Sequence, residues 1–293
     1  MAKSRRSTRH HYIPKTVQRA FVIEGEKDRI WYSERCSRTG LFMAPEIRNI
    51  DSTFQEKNLY TVNYDSTPSD VIERAFYGPL DNHLGLIIPQ IISALDDGAL
   101  PVFSDESERS MRLVVVEMMK RTPNAFEGLE LDSVVQRVLN EPPAQDFPED
   151  VLQAFRRDLE NPAYIEKFKR EVFARGRIRP LKNVNKTLEE FSVRWGICKG
   201  KHSFVLSSRY CYMIGNGGPS GLANENVELW MPISPKYCMV LVRDAFGRVP
   251  KLCEVDSAMV RKFNLHSLRN SHAIASHSQK LIESIIGKSA VIR

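Results

Sequence analysis

Residues 191–197 read FSVRWGI, and an apolar side chain occupies every second position. A period of two is typical of a β-strand that buries one face. Further strands are predicted over residues 203–214, 227–231 and 237–242. This run of strands, from about residue 187 to 256, predicts an antiparallel sheet in the C-terminal half of the chain.

Helices are predicted upstream of this sheet, from about residue 67 to 180. The clearest one runs from Ser104 to Arg121, because Ser104 is a favourable N-cap and apolar residues then recur at spacings of three and four. This helix should end before Pro123, since a proline disfavours helical backbone in the residue before it.

Prolines mark three other features of the helical region. Pro68, which follows a capping threonine, suits the first position of a helix. Pro89 is expected to kink or break the apolar helical run over residues 80–97. Another helical pattern covers residues 148–175 and is interrupted near Pro162.

The two ends of the chain complete the predicted architecture. Residues 1–9 form a basic arm without an acid, which is predicted to be flexible. Residues 10–36 predict a short β-hairpin. Closing helices are predicted over residues 257–287, the last of them over 267–286. Because helices and strands are segregated along the chain, the predicted fold is α+β, with a single domain over residues 10–293.

Composition and cysteine spacing exclude several classes of protein. Of the 293 residues, 42% are hydrophobic and 27% are charged, and the net charge of +6 permits an anionic partner without requiring one. The five cysteines lack C-x-x-C spacing, so neither a disulfide framework nor a zinc knuckle is predicted. The N-terminus is polar, and no apolar stretch is long enough to span a bilayer. A cytoplasmic protein without membrane contact, metal or cofactor is expected.

Several segments carry a resemblance to a known family. They are HHYIP at residues 10–14, IWYSER at 30–35, RTP at 121–123, FVLS at 204–207, MPISP at 231–235 and NSHA at 270–273. In this order they resemble the signature of the family called domain of unknown function 4238, found mainly in bacteria. The resemblance covers most of the chain, and HHYIP and PISP are its most specific parts. No reaction is tied to the family, so the resemblance implies no substrate.

The chain departs from the family's pattern at one position. Members usually carry aspartate after the serine of the FVLS strand, whereas Ser208 and then Arg209 follow Ser207 here. If that acid takes part in chemistry or binds a metal, this chain has lost it. An activity implied by the family is therefore weakened here.

His10 and His11 are the first candidates for chemistry. Adjacent side chains on an extended segment point to opposite faces, so the two are not expected to chelate one metal. One of them could face a site, where a histidine with a near-neutral pKa serves as a general base or contacts phosphate. The alternative is structural: the histidines and Tyr12 hydrogen-bond to backbone and cap the core, with Pro14 fixing the turn.

Arg19 and Arg121 are candidates for an anion site, because a guanidinium can bind phosphate through two parallel hydrogen bonds. Glu73, early in a predicted helix, is a candidate catalytic acid or base. The alternatives are a structural pair between an arginine and a carboxylate such as Glu73 or Glu117, and a solvated helix face for Glu73. Three residues of the FVLS and PISP segments complete the predicted anion-binding set: Ser207, Arg209 and Ser234.

A run of basic residues lies near the end of the helical region. With the arm at residues 1–9, it predicts an electropositive surface for the backbone of RNA or DNA. The alternative is a solvated helix face that pairs with the acid-rich residues 141–158. The candidate nucleic-acid-binding residues are Lys167, Lys169, Arg170, Arg175, Arg177 and Arg179.

Two other motifs do not predict a site. The glycine-rich residues 215–221 lack the G-x-x-x-x-G-K-[ST] pattern and are interpreted as a hairpin connection. His272 and His277 lie five residues apart, which is not the spacing of H-E-x-x-H, so a zinc hydrolase is not predicted.

Three functions are compatible with these residues. The first is cleavage of RNA or DNA by a nuclease of the antiviral-defence or toxin type, with His10 or His11 as general base and arginines stabilising the phosphorane charge. Because no acidic pair is evident, a metal-free mechanism is favoured over a two-metal one. The second is a non-catalytic module that binds nucleic acid or protein, and the third is a small-molecule sensor.

Overall fold

The computed structural model describes residues 8–64, 67–126, 133, 148–215, 221–244 and 246–289. Within them the strands are β1 (Arg9–His11), β2 (Arg29–Glu34), β3 (Glu46–Asn49), β4 (Gln55–Lys57), β5 (Val62–Tyr64), β6 (Thr67–Ser69), β7 (Phe191–Cys198), β8 (Leu206–Ser207), β9 (Tyr212–Gly215), β10 (Val227–Pro232), β11 (Tyr237–Arg243), β12 (Leu252–Val255) and β13 (Ala273–Ser276). The helices are α1 (Lys15–Arg19), α2 (Gly78–Asp96), α3 (Asp105–Arg121), α4 (Glu149–Asp158), α5 (Pro162–Ile178), α6 (Lys182–Leu188), α7 (Ser257–Arg269) and α8 (Gln279–Ser289). The fold is α+β, as predicted.

The predicted C-terminal sheet has five strands in the order β12–β7–β11–β10–β9. Neighbouring strands are antiparallel, except that β12 runs parallel to β7. The centre of the sheet is β11, in which every residue from Tyr237 to Val242 is buried. Side chains on both faces of this strand therefore leave water, and each large apolar one contributes about 1.5–3 kcal/mol. One edge of the sheet is β9, which borders the basic surface described below.

A second sheet joins the two ends of the chain in the order β3–β2–β13–β8, with all neighbours antiparallel. Ile274 of β13 lies opposite Ser33 on one side and Ser207 on the other. The N-terminal hairpin is thus formed by β2 and β3. The predicted hairpin also includes the segment before β2, but this segment forms α1 and a turn instead.

The predicted final helix over residues 267–286 is wrong in its first half. α7 ends at Arg269, the chain crosses the second sheet as β13, and α8 begins only at Gln279. Four buried residues make β13 a central strand. The backbone partners that impose this conformation lie in β2 and β8, far away in sequence, and local spacing does not reveal them.

The helical region follows its predicted signals with two differences. Ser104 caps α3 by accepting a hydrogen bond from the backbone of Ser107, and the Asn161 side chain likewise caps α5, as the capping rule predicts. α2 continues through Pro89 without a break. Thr67–Ser69, where a helix start is predicted, pairs with β5 as a strand, and the helical turns begin after Asp70.

A large hydrophobic cluster connects these parts, running from Tyr12 in the N-terminal segment to Ala275 in β13. A smaller cluster lies under α8 and contains Ile274 and Ile282. Within the described residues, no helix combines the length and apolar content needed to cross a bilayer. Residues 1–7 of the predicted arm at 1–9 and residues 216–220 of the predicted connection at 215–221 lie outside the described residues. Arg9, predicted to belong to the flexible arm, instead begins β1 and pairs with Lys57 of β4.

Candidate functional site

Arg121 ends α3 and has a side chain with 0% exposure. Its Nη2 donates hydrogen bonds to Asp81 Oδ2 at 2.9 Å and to the His11 carbonyl at 2.7 Å, and Nη1 donates to Asp81 Oδ1. The pair with Asp81 is bidentate, which is the strongest geometry for these groups. Arg121 therefore ties together β1, α2 and α3, and its carboxylate partner is Asp81 rather than the predicted Glu73 or Glu117.

Two buried tyrosines surround the Arg121 guanidinium. Its central carbon lies 4.5 Å from the ring centre of Tyr77 and 5.9 Å from that of Tyr60. The two rings are 4.4 Å apart, and the Tyr60 hydroxyl donates to the Arg121 carbonyl at 2.9 Å. A cation between aromatic faces is stabilised by their negative quadrupoles, so these rings further fix the position of Arg121.

His10 is buried on the other side of Tyr60. The rings of His10 and Tyr60 stack with an interplanar angle of 6°, and His10 Nδ1 accepts a hydrogen bond from the Tyr60 backbone at 2.9 Å. An accepting Nδ1 carries no proton, so the neutral ring holds its proton on Nε2. With 0% exposure, His10 is a core residue, which is the structural alternative considered for the histidines.

His11 points the other way along β1 and is partly exposed. Its Nε2 lies 3.2 Å from the Ile50 carbonyl. Burial and then the charge of Lys15 lower the pKa of His11 most. The hydrogen bond with the Ile50 carbonyl raises the pKa, the charge of Arg121 lowers it less, and Asp51 raises it least. His11 is therefore neutral at pH 7 and has the protonation state of a general base.

Glu73 lies in a π-helical turn, Glu73–Tyr77, that leads into α2. Burial raises the pKa of Glu73 to about 7; the charge of Arg121 opposes the rise, and Asp81 and Asp70 add to it. Its Oε2 is buried without a hydrogen-bond partner among the described residues. π-Helical turns occur frequently at functional sites, and so do carboxyl groups that titrate near neutrality.

The structure thus brings together four of the predicted site residues: His10, His11, Glu73 and Arg121. We call these four residues, together with Tyr60, Tyr77 and Asp81, the Arg121 cluster. His10 and Arg121 are fully buried and hydrogen-bonded within the protein, so neither reaches a molecule in solution. His11 and Glu73 are only partly buried, and they are the members that could take part in proton transfer.

Arg19 is not a member of the Arg121 cluster. It is exposed at the end of α1 and pairs with Asp28 at 3.1 Å. With Asp96, it lines a cavity of about 500 Å³ between α1 and α2. Because both signs of charge line this cavity, it is not a dedicated anion site.

Ser207 and Ser234 form structural hydrogen bonds. The Ser207 hydroxyl lies 2.9 Å from the Tyr212 hydroxyl in a buried network. The Ser234 hydroxyl accepts from the backbone amides of Lys236 and Tyr237 and closes the turn between β10 and β11. Neither hydroxyl is presented to solvent, since both residues are buried.

The position at which the family usually has aspartate also has a structural role here. Ser208 Oγ accepts hydrogen bonds from the backbone amides of His272 at 3.0 Å and Ala273 at 3.3 Å. It thereby joins the end of β8 to the start of β13. A carboxylate is an acceptor as well, so either residue can satisfy these amides.

The six basic residues predicted to bind nucleic acid lie on or just after α5, in three different environments. Arg177 is buried and donates to the carbonyls of Thr122 and Pro123. Arg175 pairs with Glu171 at 2.8 Å, one turn before it on the same helix. Lys169 is partly exposed, and the fully exposed members are Lys167, Arg170 and Arg179. The basic run is therefore partly structural.

A second basic surface lies between β9 and α7, which we call the basic groove. It is a cavity of about 470 Å³, and its charged lining residues are Arg261, Lys262 and Arg269, with His266 among them. All four side chains are exposed, and no acid contributes to the lining. None of the three cations, nor the nearby Arg209, forms an ion pair with any residue that the structure describes.

The helical repeat of α7 explains how these side chains meet. Residues 261, 262, 265, 266 and 269 are spaced by one, three and four positions, so they share one face of the helix. The opposite face carries Phe263, which packs edge-on against Tyr212 and Phe204 in the core. The buried face thus fixes the helix and leaves the basic face in solution.

His266 is held within this group by the Tyr212 ring, at a centroid distance of 5.1 Å. Partial burial and the charges of Arg209, Arg269 and Lys262 lower the pKa of His266. The charges of these three side chains add at His266 and disfavour one more positive charge there. The same concentration of charge attracts an anion.

The sequence interpretation missed the basic groove and identified only Arg209 beside it. The signal was present in the spacing of Arg261, Lys262, His266 and Arg269 along one helix. It was weak because the same helix also carries the apolar residues of its core face. Only the sheet edge at β9 turns this helix face into a cavity.

No cluster of three or more histidine, cysteine, aspartate or glutamate residues with the geometry of a metal site occurs within the described part of the chain. No curated protein and no solved structure matches the sequence significantly. The model of the family described as "Protein of unknown function (DUF4238)" matches residues 9–280. This range includes the HHYIP strand, the Arg121 cluster and the basic groove, and the chain belongs to the DUF4238 family.

Proposed function

We propose that this protein binds the phosphate backbone of a nucleic acid in the basic groove. The observation that carries the proposal is the set of exposed cations, Arg209, Arg261, Lys262 and Arg269, without an acidic partner among the described residues. When such cations neutralise the phosphates of a nucleic acid, the counterions condensed on those phosphates are released, and this release drives association. The groove also offers guanidinium groups, which match the geometry of phosphate oxygens.

The rest of the surface supports this location. Elsewhere basic side chains commonly have a carboxylate neighbour, as in the pairs Arg109–Glu189, Arg156–Glu149 and Lys199–Glu254. A phosphate would have to compete with a carboxylate at each of these positions. In the basic groove that competition does not arise.

A charge-reversal experiment tests the proposal. Binding of a fluorescent 20-nucleotide RNA, the same DNA and a duplex would be measured by anisotropy for Arg261→Glu/Lys262→Glu. The matched control is Lys167→Glu/Arg170→Glu on α5, which changes the net charge by the same amount. We expect the α7 variant to bind about tenfold or more weakly and the control to bind nearly as tightly as the unmodified protein.

Either of two results would overturn the proposal. If the α5 variant loses affinity and the α7 variant does not, the binding surface is α5. If the unmodified protein binds none of the three probes at 50 mM salt, phosphate-backbone recognition is not its function.

Phosphodiester cleavage is a second candidate, and the observation that favours it is the environment of Glu73. A carboxyl group with a pKa near 7 and an unpartnered buried oxygen can exchange a proton at neutral pH, and His11 nearby is neutral. In this mechanism Glu73 and His11 transfer protons, while Arg121 holds the His11 backbone in place through its carbonyl. A nuclease of the defence or toxin type is the corresponding biological class.

Cleavage would be assayed with single-stranded RNA and DNA between pH 5 and 9, with and without EDTA. The expected result is cleavage that survives EDTA and is lost in Glu73→Gln while binding is retained. A toxin-type activity also predicts that induction in cells arrests growth and that Glu73→Gln relieves the arrest. Intact substrates under all conditions, with metals also added, would reject this candidate.

A further inference from the structure

A second cavity adjoins the basic groove on the other side of β9. It has a volume of about 330 Å³ and lies between the sheet edge and helices α3 and α6. Its walls are largely aliphatic, with Met119, Leu181, Val184, Met213 and Leu222 among them. A cavity of this size with apolar walls is suited to a small flat ring.

The two cavities are separated by no more than one side chain. Met213 lines both of them, and its side chain is 39% exposed at the surface between them. Arg209 lines the second cavity, and its charge also lowers the pKa of His266 in the basic groove. A ligand that extends past Met213 would therefore contact both cavities.

The second cavity also contains hydrogen-bond donors. Arg209 offers an exposed guanidinium that has no ion pair with a described residue, as noted above. Lys120 Nζ donates to Glu117 at 2.7 Å and to the Arg179 carbonyl at 3.3 Å, which leaves one of its three hydrogens for a ligand. No acid contributes to the lining. Apolar walls with cationic donors fit a ring that has carbonyl or ring-nitrogen acceptors on its edge.

We propose that this cavity takes an unpaired nucleobase of the same strand whose phosphates bind the basic groove. This inference rests on the proposed function and narrows its ligand to single-stranded nucleic acid. In a duplex the bases are paired and stacked, so none is available to enter a side pocket. Protein pockets that take an unpaired base hold it between aromatic or apolar side chains and through hydrogen bonds to its edge, and this cavity offers the apolar kind.

The test compares an intact 12-nucleotide single strand with versions in which an abasic spacer replaces one base at a time. Affinities would be measured by anisotropy at fixed salt. We expect at least one spacer position to weaken binding about fivefold or more, because the strand then loses the apolar burial and the hydrogen bonds of the base in the pocket. The variant Leu181→Asn/Met213→Gln should bind intact and abasic strands equally. Both residues are substantially exposed, so the variant should fold; Leu86→Asn, an exposed position on α2, is the control.

The outcomes separate this inference from the proposed function. Equal affinity for intact and abasic strands, with strong weakening by salt, overturns the base pocket and leaves phosphate recognition standing. Tighter binding of a duplex than of a single strand also overturns the pocket. If no strand binds at low salt, the proposed function fails and the inference fails with it.

Discussion

Arg19 and Arg121 show how little the identity of a single residue determines its role. Both are arginines beside family motifs, yet the Arg19 side chain is 54% exposed and the Arg121 side chain is 0% exposed. The Asp81 carboxylate that fixes Arg121 lies 40 positions away in sequence. Only the tertiary fold brings the two together, so the sequence left both roles open.

Removal of the Arg121 charge should destabilise the protein strongly. We expect Arg121→Met to lower the free energy of unfolding by about 3 kcal/mol, because Asp81 and the His11 carbonyl lose their partner. Arg121→Lys should cause a smaller loss of stability than Arg121→Met, since lysine keeps the charge, but an ammonium cannot form the bidentate pair. The control Arg19→Met should lower the free energy of unfolding by less than about 1 kcal/mol, as expected for an exposed ion pair. Urea unfolding measures all three; equal losses for Arg121→Met and Arg19→Met would contradict a structural role for the Arg121 cluster.

Ser208, the position at which the chain departs from the family's pattern, has a structural role. Its hydroxyl accepts from two backbone amides at the start of β13. An aspartate at this position would accept the same hydrogen bonds. In this chain the position therefore has a structural role, which serine fulfils.

Glu73 should make stability depend on pH. Its pKa is about 7 in the folded protein against an ordinary value of 4.5, so the folded state holds the proton more tightly. The favourable contribution is present below pH 4.5 and is lost as pH rises through 7. Relative to Glu73→Gln, the unmodified protein should lose up to about 3 kcal/mol between pH 4.5 and 8.5.

Urea unfolding of both proteins at several pH values measures this difference. The variant Glu225→Gln, at an exposed glutamate, provides the background pH dependence. A difference between the unmodified protein and Glu73→Gln that stays constant with pH would show that Glu73 titrates as in the unfolded chain.

Among the elements, those with strong local signals could be predicted and those made by distant partners could not. Ser104 and the apolar spacing after it define α3 without further information. β13, with the short sequence AIAS, carries no such signal, because its conformation depends on β2 and β8. The basic groove was missed for the same reason: its cations lie on one helix, but the cavity needs the edge strand β9.

The contact between β7 and β12 gives a test at the level of elements. A Cβ at Gly196 would lie 2.8 Å from Val255 Cγ2, closer than atoms can pack. We expect Gly196→Ala to lower the free energy of unfolding by about 1–3 kcal/mol, because the added methyl group overpacks this contact. In Gly196→Ala/Val255→Ala the added methyl gains room, so the double variant should lose less stability than the sum of the two single variants. Additive losses in urea unfolding would contradict this close approach.

At the scale of the whole molecule, the distribution of charge is more informative than its sum. The net charge of +6 is modest for 293 residues. It becomes significant because Arg209, Arg261, Lys262 and Arg269 lie together around one edge of the five-stranded sheet without acids in the groove. The Arg121 cluster, by contrast, balances its charge internally. The signature segments contribute His10, His11 and Arg121 to this cluster, whereas the four cations lie between signature segments.

The salt dependence of binding to a single-stranded oligonucleotide tests the central claim most directly. Four phosphate contacts predict a slope of log K against log salt of about −3, and Arg261→Gln/Arg269→Gln should reduce it to about −1.5. The control Lys167→Gln/Arg170→Gln should keep the slope of the unmodified protein. A slope near zero, or a slope that the α7 substitutions leave unchanged, would contradict recognition of phosphates by the basic groove.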